Sequence, residues 1–298
     1  MSVLTVGETM ALLDPVADGP PYLGAEFRLR IAGAESNVAI GLARLGVAVT
    51  WVSRLGRDPF GDVVLEAIAA EGVDTRFVLR GDERTGLFAK TRVQGQTQVA
   101  YWRAGSAASL LGPGDVPDDA FDSVRLVHLT GITMAISETG AALVVDLARR
   151  AKEHGLLVTF DPNFRPALPD SPEAAAARQR AVLPYVDWYL CGEEEQRTLW
   201  GDEPVPVPCV VRVGARGALV QGQSVPPARV VTEVVDEVGA GDAFATGFIY
   251  GLLEGWAPRA CAEAGNLLAA FTLLGTGDWE LLPRLEDIAG DLRAIATA

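Results

Sequence analysis

The feature that most constrains the fold is a regular alternation between short apolar segments and longer amphipathic, alanine-rich segments. The short segments have the length and composition of buried strands. We predict strands at Val3–Val6, Val47–Ser53, Leu126–Leu129, Leu156–Phe160, Trp188–Cys191 and Cys209–Val213. Buried strands that alternate with helices indicate an α/β fold, in which a mainly parallel sheet is covered by helices on both faces.

The longer segments have the spacing of helices. Val38, Leu42 and Leu45 fall on one face of the first of them, and glycine follows it at position 46. Glycine is a common helix terminator because it adopts the left-handed conformation without steric cost. The predicted helices are Glu35–Leu45, Phe60–Glu71, Ala141–His154 and Pro172–Leu183.

Two stretches depart from this alternation, at about residues 12–31 and 86–102. The second alternates apolar and polar residues around a turn at Gly95, which is typical of an antiparallel hairpin with one face in water. Both predict excursions from the α/β body into a small β-sheet. We find no internal repeat, and the proline-rich piece at 203–208 is too short to separate domains. Residues 1–298 are therefore expected to form a single domain.

Charge and cysteine content narrow the classes of function. The net charge of −14 argues against nucleic acid or an anionic membrane as the main partner. Three cysteines without a C-x-x-C motif, together with two histidines, offer little material for a disulfide framework, a zinc cluster or Ser-His-Asp chemistry. The chain shows neither a signal peptide nor an apolar stretch of about 18 residues. We expect a cytoplasmic protein with no membrane span.

The segment Asp236–Phe244 carries the sharpest chemical signal. Gly239 and Gly241 leave backbone amides uncovered at the point where apolar residues begin to recur at helical spacing. Such a helix start suits a phosphoryl group, because its N–H groups are unpaired and carry partial positive charge. Asp242 beside it can accept a proton from an attacking hydroxyl. The alternative interpretation is an ordinary helix N-terminus that Asp242 caps.

Known nucleotide-binding motifs do not explain this segment. The sequence contains no G-x-x-x-x-G-K-[ST] loop and no G-x-G-x-x-G that follows an N-terminal strand. A dinucleotide-dependent oxidoreductase is therefore disfavoured.

The sequence resembles the ribokinase-like carbohydrate kinases, also called the phosphofructokinase-B type. Gly239–Asp242 matches the G-A-G-D of the family's C-terminal signature, and Gly33–Ala39 followed by Gly56–Gly61 matches its N-terminal signature. The resemblance extends from Val3 to Pro283. It implies a ribokinase-like three-layer sandwich with a mainly parallel central sheet, and a small β-sheet lid over the sugar site.

The resemblance also implies site residues. Asp242 matches the catalytic base, with Gly239, Ala240 and Gly241 as the anion hole, and Gly33 and Asn37 match residues that bind substrate hydroxyls. For Asn37 a helix cap is the alternative. The positions that match nucleotide-binding residues are Asn163, Glu195, Arg212, Gly214, Arg216, Gly217, Gly239, Gly241 and Asn266. An ordinary strand and turn at 212–217 and an ordinary helical asparagine at 266 are the alternatives there.

Two arginines bear on the substrate. Arg103 ends the predicted lid hairpin and Arg165 follows the strand Leu156–Phe160, at the strand end where open α/β sheets bind ligands. A pair of guanidinium groups suits a carboxylate, although solvated surface arginine is the alternative for each. The segments that hold them resemble those of 2-keto-3-deoxygluconate kinases. That resemblance implies a sugar-acid site formed by Tyr101, Arg103, Arg165 and Asp278, beside Asp242.

We therefore expect an enzyme that transfers the γ-phosphoryl group of ATP to 2-keto-3-deoxygluconate, giving 2-keto-3-deoxy-6-phosphogluconate, with magnesium bridging the ATP phosphates. A kinase of the same fold for fructose, ribose or tagatose phosphate is one alternative. A catalytically silent sugar-binding regulator is another. Analogy with the family also suggests a homo-oligomer that pairs through the lid.

The sequence departs from the family pattern at two places. Gly192 replaces the asparagine of a family Asn-x-x-Glu segment, whereas Glu195 keeps the acidic position and is expected to meet magnesium through water. An acidic first turn of a helix is the alternative for this segment. Glu237 is unusual before the G-A-G-D motif and affects the expected monovalent-cation site near Asp236.

Overall fold

The structure, a computed structural model, describes residues 2–93, 96–166, 168, 170–229, 234–235 and 238–297. Its strands are, in chain order, β1 (Ser2–Val6), β2 (Met10–Pro15), β3 (Phe27–Ala32), β4 (Ala48–Val52), β5 (Arg54–Gly56), β6 (Leu79–Gly81), β7 (Leu87–Val93), β8 (Gln96–Trp102), β9 (Val124–Thr130), β10 (Leu157–Asp161), β11 (Trp188–Gly192), β12 (Cys209–Arg212), β13 (Ala218–Val220) and β14 (Gln223–Val225). Its α-helices are α1 (Ala34–Arg44), α2 (Pro59–Ala70), α3 (Gly131–Ile136), α4 (Glu138–Glu153), α5 (Pro172–Val182), α6 (Glu193–Trp200), α7 (Ala240–Leu253), α8 (Pro258–Thr272) and α9 (Leu285–Thr297).

The central sheet has eight strands in the order β14-β13-β12-β11-β10-β9-β1-β4. Every neighbouring pair from β12 to β4 is parallel, and only β13 and β14 are antiparallel additions at one edge. The prediction of a mainly parallel sheet is confirmed. All six strands predicted for the body belong to it, with ends displaced by one or two residues.

Helices cover both faces of this sheet. Val3 belongs to the apolar cluster that includes residues of α1, α2, α7 and α8, whereas the next residue, Leu4, belongs to the cluster that includes residues of α4, α5 and α6. The same switch separates Leu126 from Val127 on β9. Because successive side chains of a strand point to opposite faces, strands buried on both faces are apolar at every position. The three-layer sandwich follows from this pattern.

A separate four-stranded sheet, which we call the lid, has the order β3-β2-β7-β8. Its strands lie in or next to the two excursions predicted at 12–31 and 86–102, and β7 and β8 form the predicted antiparallel hairpin. β2 and β7 pair in parallel and so join the two excursions into one sheet. The turn at Gly95 lies outside the described residues.

Helix α4 begins three residues before its predicted start at Ala141. The Ser137 side chain accepts a hydrogen bond from the Gly140 amide at 3.0 Å and caps the helix there. Among the described residues, no helix is both long and apolar enough to cross a membrane.

Candidate active site

A cavity of about 740 Å³ lies between the lid and the carboxyl ends of the central strands. Its volume is in the range typical of small-molecule sites. The lid contributes Met10, Phe88, Lys90, Val99 and Tyr101, and Arg103 follows directly. From the predicted site residues the cavity brings together Gly33, Asn37, Tyr101, Arg103, Asn163, Arg165, Glu195, Arg212, Gly214, Gly239, Gly241, Asp242 and Asp278.

Helix α7 begins at the floor of this cavity. Gly239 precedes the helix in the left-handed conformation, with φ of 80°, and a Cβ atom there would lie 2.1 Å from the carbonyl oxygen of Asp278. Glycine is therefore required at position 239 both by the left-handed backbone conformation and by the close packing against Asp278. A Cβ at Gly241 would meet its nearest neighbour, Arg212, at an ordinary 3.5 Å, so protein packing alone does not require glycine there. The open amides of this first turn suit an anionic ligand.

Asp242 lies in the first turn of α7 and points at Asn37 of α1. The Asn37 side-chain nitrogen donates a hydrogen bond to Asp242 Oδ2 at 2.7 Å. Burial raises the pKa of Asp242 to about 7; the Asn37 bond and the charge of Arg165 oppose this rise, and the charges of Asp161 and Asp278 add to it. A carboxyl group with a pKa near neutrality is suited to proton transfer at physiological pH.

Gly33 and Asn37 hold the start of α1 beside this carboxyl group. Asn37 is not the helix cap that was its alternative role, because the N-cap of α1 is Gly33 and Asn37 lies inside the helix. The Asn37 side-chain oxygen accepts a long hydrogen bond of 3.5 Å from the Gly33 amide. Its side-chain nitrogen nevertheless faces the cavity at Asp242. A Cβ at Gly33 would lie 2.4 Å from the carbonyl oxygen of Glu8, which explains the glycine.

A cluster of three charged side chains joins the ends of β10, β11 and β12. Arg212 donates to Asp161 Oδ2 at 2.5 Å and to Glu195 Oε2 at 3.1 Å. Burial and the charge of Asp161 raise the pKa of Glu195, against the opposing charge of Arg212. Burial alone would lower the pKa of Arg212, but the two carboxylates raise it above its usual value. The cluster fixes the floor of the cavity beside Gly241, whose carbonyl oxygen Arg212 also approaches at 3.4 Å.

Both carboxylate oxygens of Glu195 accept hydrogen bonds from protein groups. Its Oε2 also accepts from the Gly192 amide at 2.7 Å, and its Oε1 accepts from the Phe164 amide at 2.9 Å. A Cβ at Gly192 would lie 3.3 Å from Oε2, so a larger residue there would require the Glu195 carboxylate to shift by a few tenths of an ångström. The acidic first turn of a helix, which was the alternative for this segment, is present at the start of α6.

The described residues contain no group of three or more His, Cys, Asp or Glu side chains that could hold a metal ion. Magnesium readily keeps water and phosphate ligands, so these residues fit an ion that ATP carries into the site better than a protein-held ion. Asp236 and Glu237, on which the monovalent-cation expectation rests, lie outside the described residues.

At the sugar end of the cavity, the structure corrects the expectation that Arg103 is a free cation for the substrate carboxylate. Its guanidinium group is already paired with Glu8, through Nε at 2.9 Å and Nη2 at 2.5 Å, and Ser106 holds the second oxygen of Glu8. Arg103 is therefore not a free cation that awaits a substrate. Three of its five N–H groups point away from these two bonds and remain for other acceptors.

Arg165, unlike Arg103, is not paired with a carboxylate among the described residues. It is exposed on the cavity wall, and its guanidinium group donates to the neighbouring Phe164 carbonyl oxygen at 3.2 Å. Within the part of the chain that the structure describes, it forms no ion pair. Arg165 is thus the better candidate for a direct bond to an anionic ligand.

Asn163 occupies a strained position beside Arg165. Its φ of 40° is unusual for a residue other than glycine, and its amide donates to Asp161 Oδ1 at 2.8 Å. Its buried side-chain oxygen has no hydrogen-bond partner among the described residues. A buried polar atom on a cavity wall without a protein partner is suited to bind a ligand.

Three residues predicted to bind nucleotide do not line the cavity: Arg216, Gly217 and Asn266. Arg216 pairs with Glu193 at 2.7 Å near the surface. Gly217 has φ of 89° and packs against the backbone of 225–227, and the Asn266 side chain donates to the Pro226 carbonyl oxygen at 2.9 Å. Gly217 and Asn266 therefore hold the segment 225–227, whereas Arg216 is tied to α6.

Two charged residues of the cavity, Glu8 and Lys90, were missed in the sequence. Glu8 follows the carboxyl end of β1, the kind of position that drew attention to Arg165. Lys90 is in phase with the buried Phe88 on β7, so the period-two pattern places a cation on the inner face of the hairpin. Both signals were present in the sequence.

A helix start for an anion, a carboxyl group with a pKa near 7 and a lid over a polar cavity are features of a sugar kinase. Residues 1–284 match the family described as pfkB family carbohydrate kinase. The chain belongs to that family and is an ATP-dependent carbohydrate kinase, which confirms the family, fold and enzyme class that were predicted.

The names of individual relatives specify a substrate as well as the family. The 2-dehydro-3-deoxygluconokinase of Bacillus subtilis (strain 168) is 33% identical over 314 residues, covering 100% of this chain and 97% of that protein. That of Thermoproteus tenax is 32% identical, covering 99% and 95%. The crystal structure of the enzyme of this name from Thermotoga maritima is 26% identical, with a TM-score of 0.86 and full coverage of both chains.

Proposed function

We propose that this kinase phosphorylates 2-keto-3-deoxygluconate at its primary hydroxyl, with ATP as the donor. The observation that carries the proposal is a single cavity that holds Asp242 beside a helix start and, on its walls, Arg103 and Arg165. The first pair of features suits phosphoryl transfer and the arginines suit a substrate carboxylate. The names of the relatives from B. subtilis and T. tenax support the same substrate.

In the proposed reaction the sugar hydroxyl lies at Asp242 and the γ-phosphoryl group lies over residues 239–241. The hydroxyl oxygen forms a bond to γ-phosphorus, the bond from γ-phosphorus to the bridging oxygen breaks, and ADP leaves. Asp242 orients the hydroxyl and takes its proton. The amides at the start of α7 stabilise the charge on the transferred group. Magnesium, when bound with ATP, would neutralise phosphate charge.

We assign the substrate carboxylate to Arg165, with Arg103 in support. Arg165→Ala is expected to raise KM for the sugar acid about 10- to 100-fold, the scale of a lost hydrogen bond to a charged group. kcat at saturation should change much less, because Asp242 and the helix start are untouched. Steady-state kinetics with the sugar acid and its neutral methyl ester measures this effect.

The ester is the internal control, since it presents the same hydroxyl without the charge. Its KM should be nearly the same for Arg165→Ala and the wild type. Arg103→Ala tests the second arginine in the same assay. If both variants phosphorylate the sugar acid with normal KM, the carboxylate assignment is wrong.

The pKa of Asp242, about 7, gives a pH prediction. A proton acceptor must be ionised, so kcat/KM should fall about tenfold per unit as pH drops below this value and should level off above it. A pH series from 5 to 9, with the coupling enzymes in excess at every pH, measures the midpoint. An acidic limb centred near 4 would mean that the burial of Asp242 does not persist in the working enzyme.

A coupled ADP-release assay tests the function itself. The panel contains 2-keto-3-deoxygluconate, its galactonate epimer, fructose and ribose, each with ATP and magnesium. We expect kcat/KM for the first sugar to exceed that for the neutral sugars at least tenfold. Faster turnover of fructose or ribose would replace the sugar-acid proposal with a neutral-sugar kinase, and no ADP with any sugar would favour a silent regulator.

Two further expectations belong to this proposal. Leu29 on β3 and Trp102 on β8 are exposed on the outer strands of the lid, which supports pairing between two copies. Size-exclusion chromatography with light scattering tests that expectation.

The cysteines at 191, 209 and 261 are free thiols, which fits a reducing, cytoplasmic compartment.

A further inference from the structure

A buried ion pair connects the lid to the body across the sugar end of the cavity. Lys90 on β7 and Asp278, which follows α8, approach at 3.2 Å between Nζ and Oδ1. Their side chains are 6% and 10% exposed, and both residues line the cavity. A charge pair this enclosed is sensitive to the loss of one partner, because the other charge then lacks compensation.

Asp278 cannot easily withdraw from the cavity. Its backbone carbonyl oxygen lies where a Cβ of Gly239 would be, so the segment is packed directly against the start of α7. Its carboxylate therefore stays near the site of the reacting hydroxyl. There it can accept a hydrogen bond from the sugar, but its charge also repels a substrate that carries a carboxylate.

Charged side chains of both signs line this end of the cavity. Three carboxyl groups face three cations, and the six residues are Glu8, Asp242, Asp278, Lys90, Arg103 and Arg165. Arg103 is paired with Glu8, and Arg165 is the candidate for the substrate. Arg30 also interacts with Asp278 through its charge, but it is paired with Asp14 and Glu280. Lys90 is the cation that contacts the Asp278 carboxylate directly within the cavity wall.

We propose that Lys90 is a specificity-determining residue, which neutralises Asp278 and so allows the cavity to accept a sugar that carries a carboxylate. The inference rests on the proposed sugar-acid substrate. It assigns Lys90 no bond to that substrate and no part in proton transfer. Its effect is on the preference for a charged sugar over a neutral one.

The test compares kcat/KM for 2-keto-3-deoxygluconate with that for its neutral methyl ester. Lys90→Met keeps the apolar stem and removes the charge. We expect it to lower the acid-to-ester ratio about 10- to 100-fold, the scale of one uncompensated charge near another in a partly buried site. Asp278→Asn should shift the ratio in the opposite direction. The double variant Lys90→Met/Asp278→Asn should return it to within about threefold of the wild type, because both charges are gone.

Lys152→Met is the matched control. Lys90 and Lys152 are the two lysines of the sequence, and Lys152 pairs with Asp187 at 2.8 Å far from the cavity wall. The same substitution there should leave the ratio unchanged. A Lys90→Met variant that loses activity equally on both sugars would show that the pair only anchors the lid, and would overturn the proposal.

Other outcomes separate this inference from the function on which it rests. If wild-type enzyme phosphorylates no sugar acid, the proposed function fails. If it does, and neither Lys90→Met nor Asp278→Asn changes the ratio, the inference fails alone. Should Lys90→Met not fold, Asp278→Asn and the double variant still decide, since the proposal requires a raised ratio in the first and a near-normal ratio in the second.

Discussion

Asp242→Asn is expected to lower kcat by about 10²- to 10⁴-fold, the usual scale for a positioned acid–base group. The amide cannot accept the proton of the attacking hydroxyl, although it keeps the size of the side chain and can still accept a hydrogen bond from Asn37. KM for the sugar should change far less, because the arginines and the lid are untouched. Steady-state kinetics together with calorimetric titration of the sugar separates the two effects.

A matched control substitution shows whether the loss of kcat is specific to Asp242. Asp62 also lies in the first turn of a helix, α2, but it is exposed and pairs with Arg80 at 2.6 Å. Asp62→Asn should leave kcat within about twofold of the wild type, as expected for a surface ion pair. Near-normal turnover in a folded Asp242→Asn enzyme would refute the role of Asp242 as the catalytic base.

Stability provides a second check on Asp242. Its folded-state pKa of about 7 lies above the ordinary carboxyl value, so the folded protein holds a proton that the unfolded chain releases between about pH 4 and pH 7. This group therefore reduces the free energy of unfolding as pH rises through that window. Asp242→Asn removes this loss of unfolding free energy. The Tm of the variant should therefore exceed that of the wild type at pH 8, and the difference should shrink toward pH 4. A lower Tm at pH 8 would contradict buried charge at this position.

The sequence predicted those features of the fold that depend on local patterns. Apolar runs such as Leu156–Phe160 are strands because both faces of the sheet are covered, and the departure at 86–102 is a hairpin because its alternation requires one wet face. Gly239 was predicted correctly as the start of a helix, and its contact with Asp278 gives the steric reason. These signals are contained within a few neighbouring residues.

Contacts across the cavity could not be predicted in the same way. The pairs Glu8 with Arg103 and Lys90 with Asp278 are separated by 95 and 188 residues. Their distances depend on how the lid lies over the body, which no local pattern specifies. The sequence motif therefore placed Arg103 at the substrate, whereas Glu8, its carboxylate partner, lies outside that motif. Asn266 was assigned to the nucleotide although its side chain bonds to a nearby backbone carbonyl.

Arg212→Met is expected to lower the free energy of unfolding by about 3–5 kcal/mol at pH 8, the scale observed when one partner of a buried ion pair is removed. Arg212 is the cation between Asp161 and Glu195, and the side chains of Arg212 and Asp161 are 17% and 3% exposed. Without it two enclosed carboxylates face each other with no compensating charge. Urea denaturation followed by tryptophan fluorescence measures the loss.

Surface and pH controls distinguish this cluster from an ordinary salt bridge. Arg149→Met removes a partly exposed arginine of α4 that pairs with Asp146 and Glu153, and it should cost less than about 1 kcal/mol. In Arg212→Met the charge that lowers the pKa of Glu195 is gone, so that pKa rises further and stability should fall as pH increases from about 4 to 8. The difference from the wild type should accordingly be smaller at pH 5 than at pH 8. Equal losses in the two arginine variants would mean that water, rather than Arg212, compensates Asp161 and Glu195, and that the floor of the cavity does not depend on this cluster.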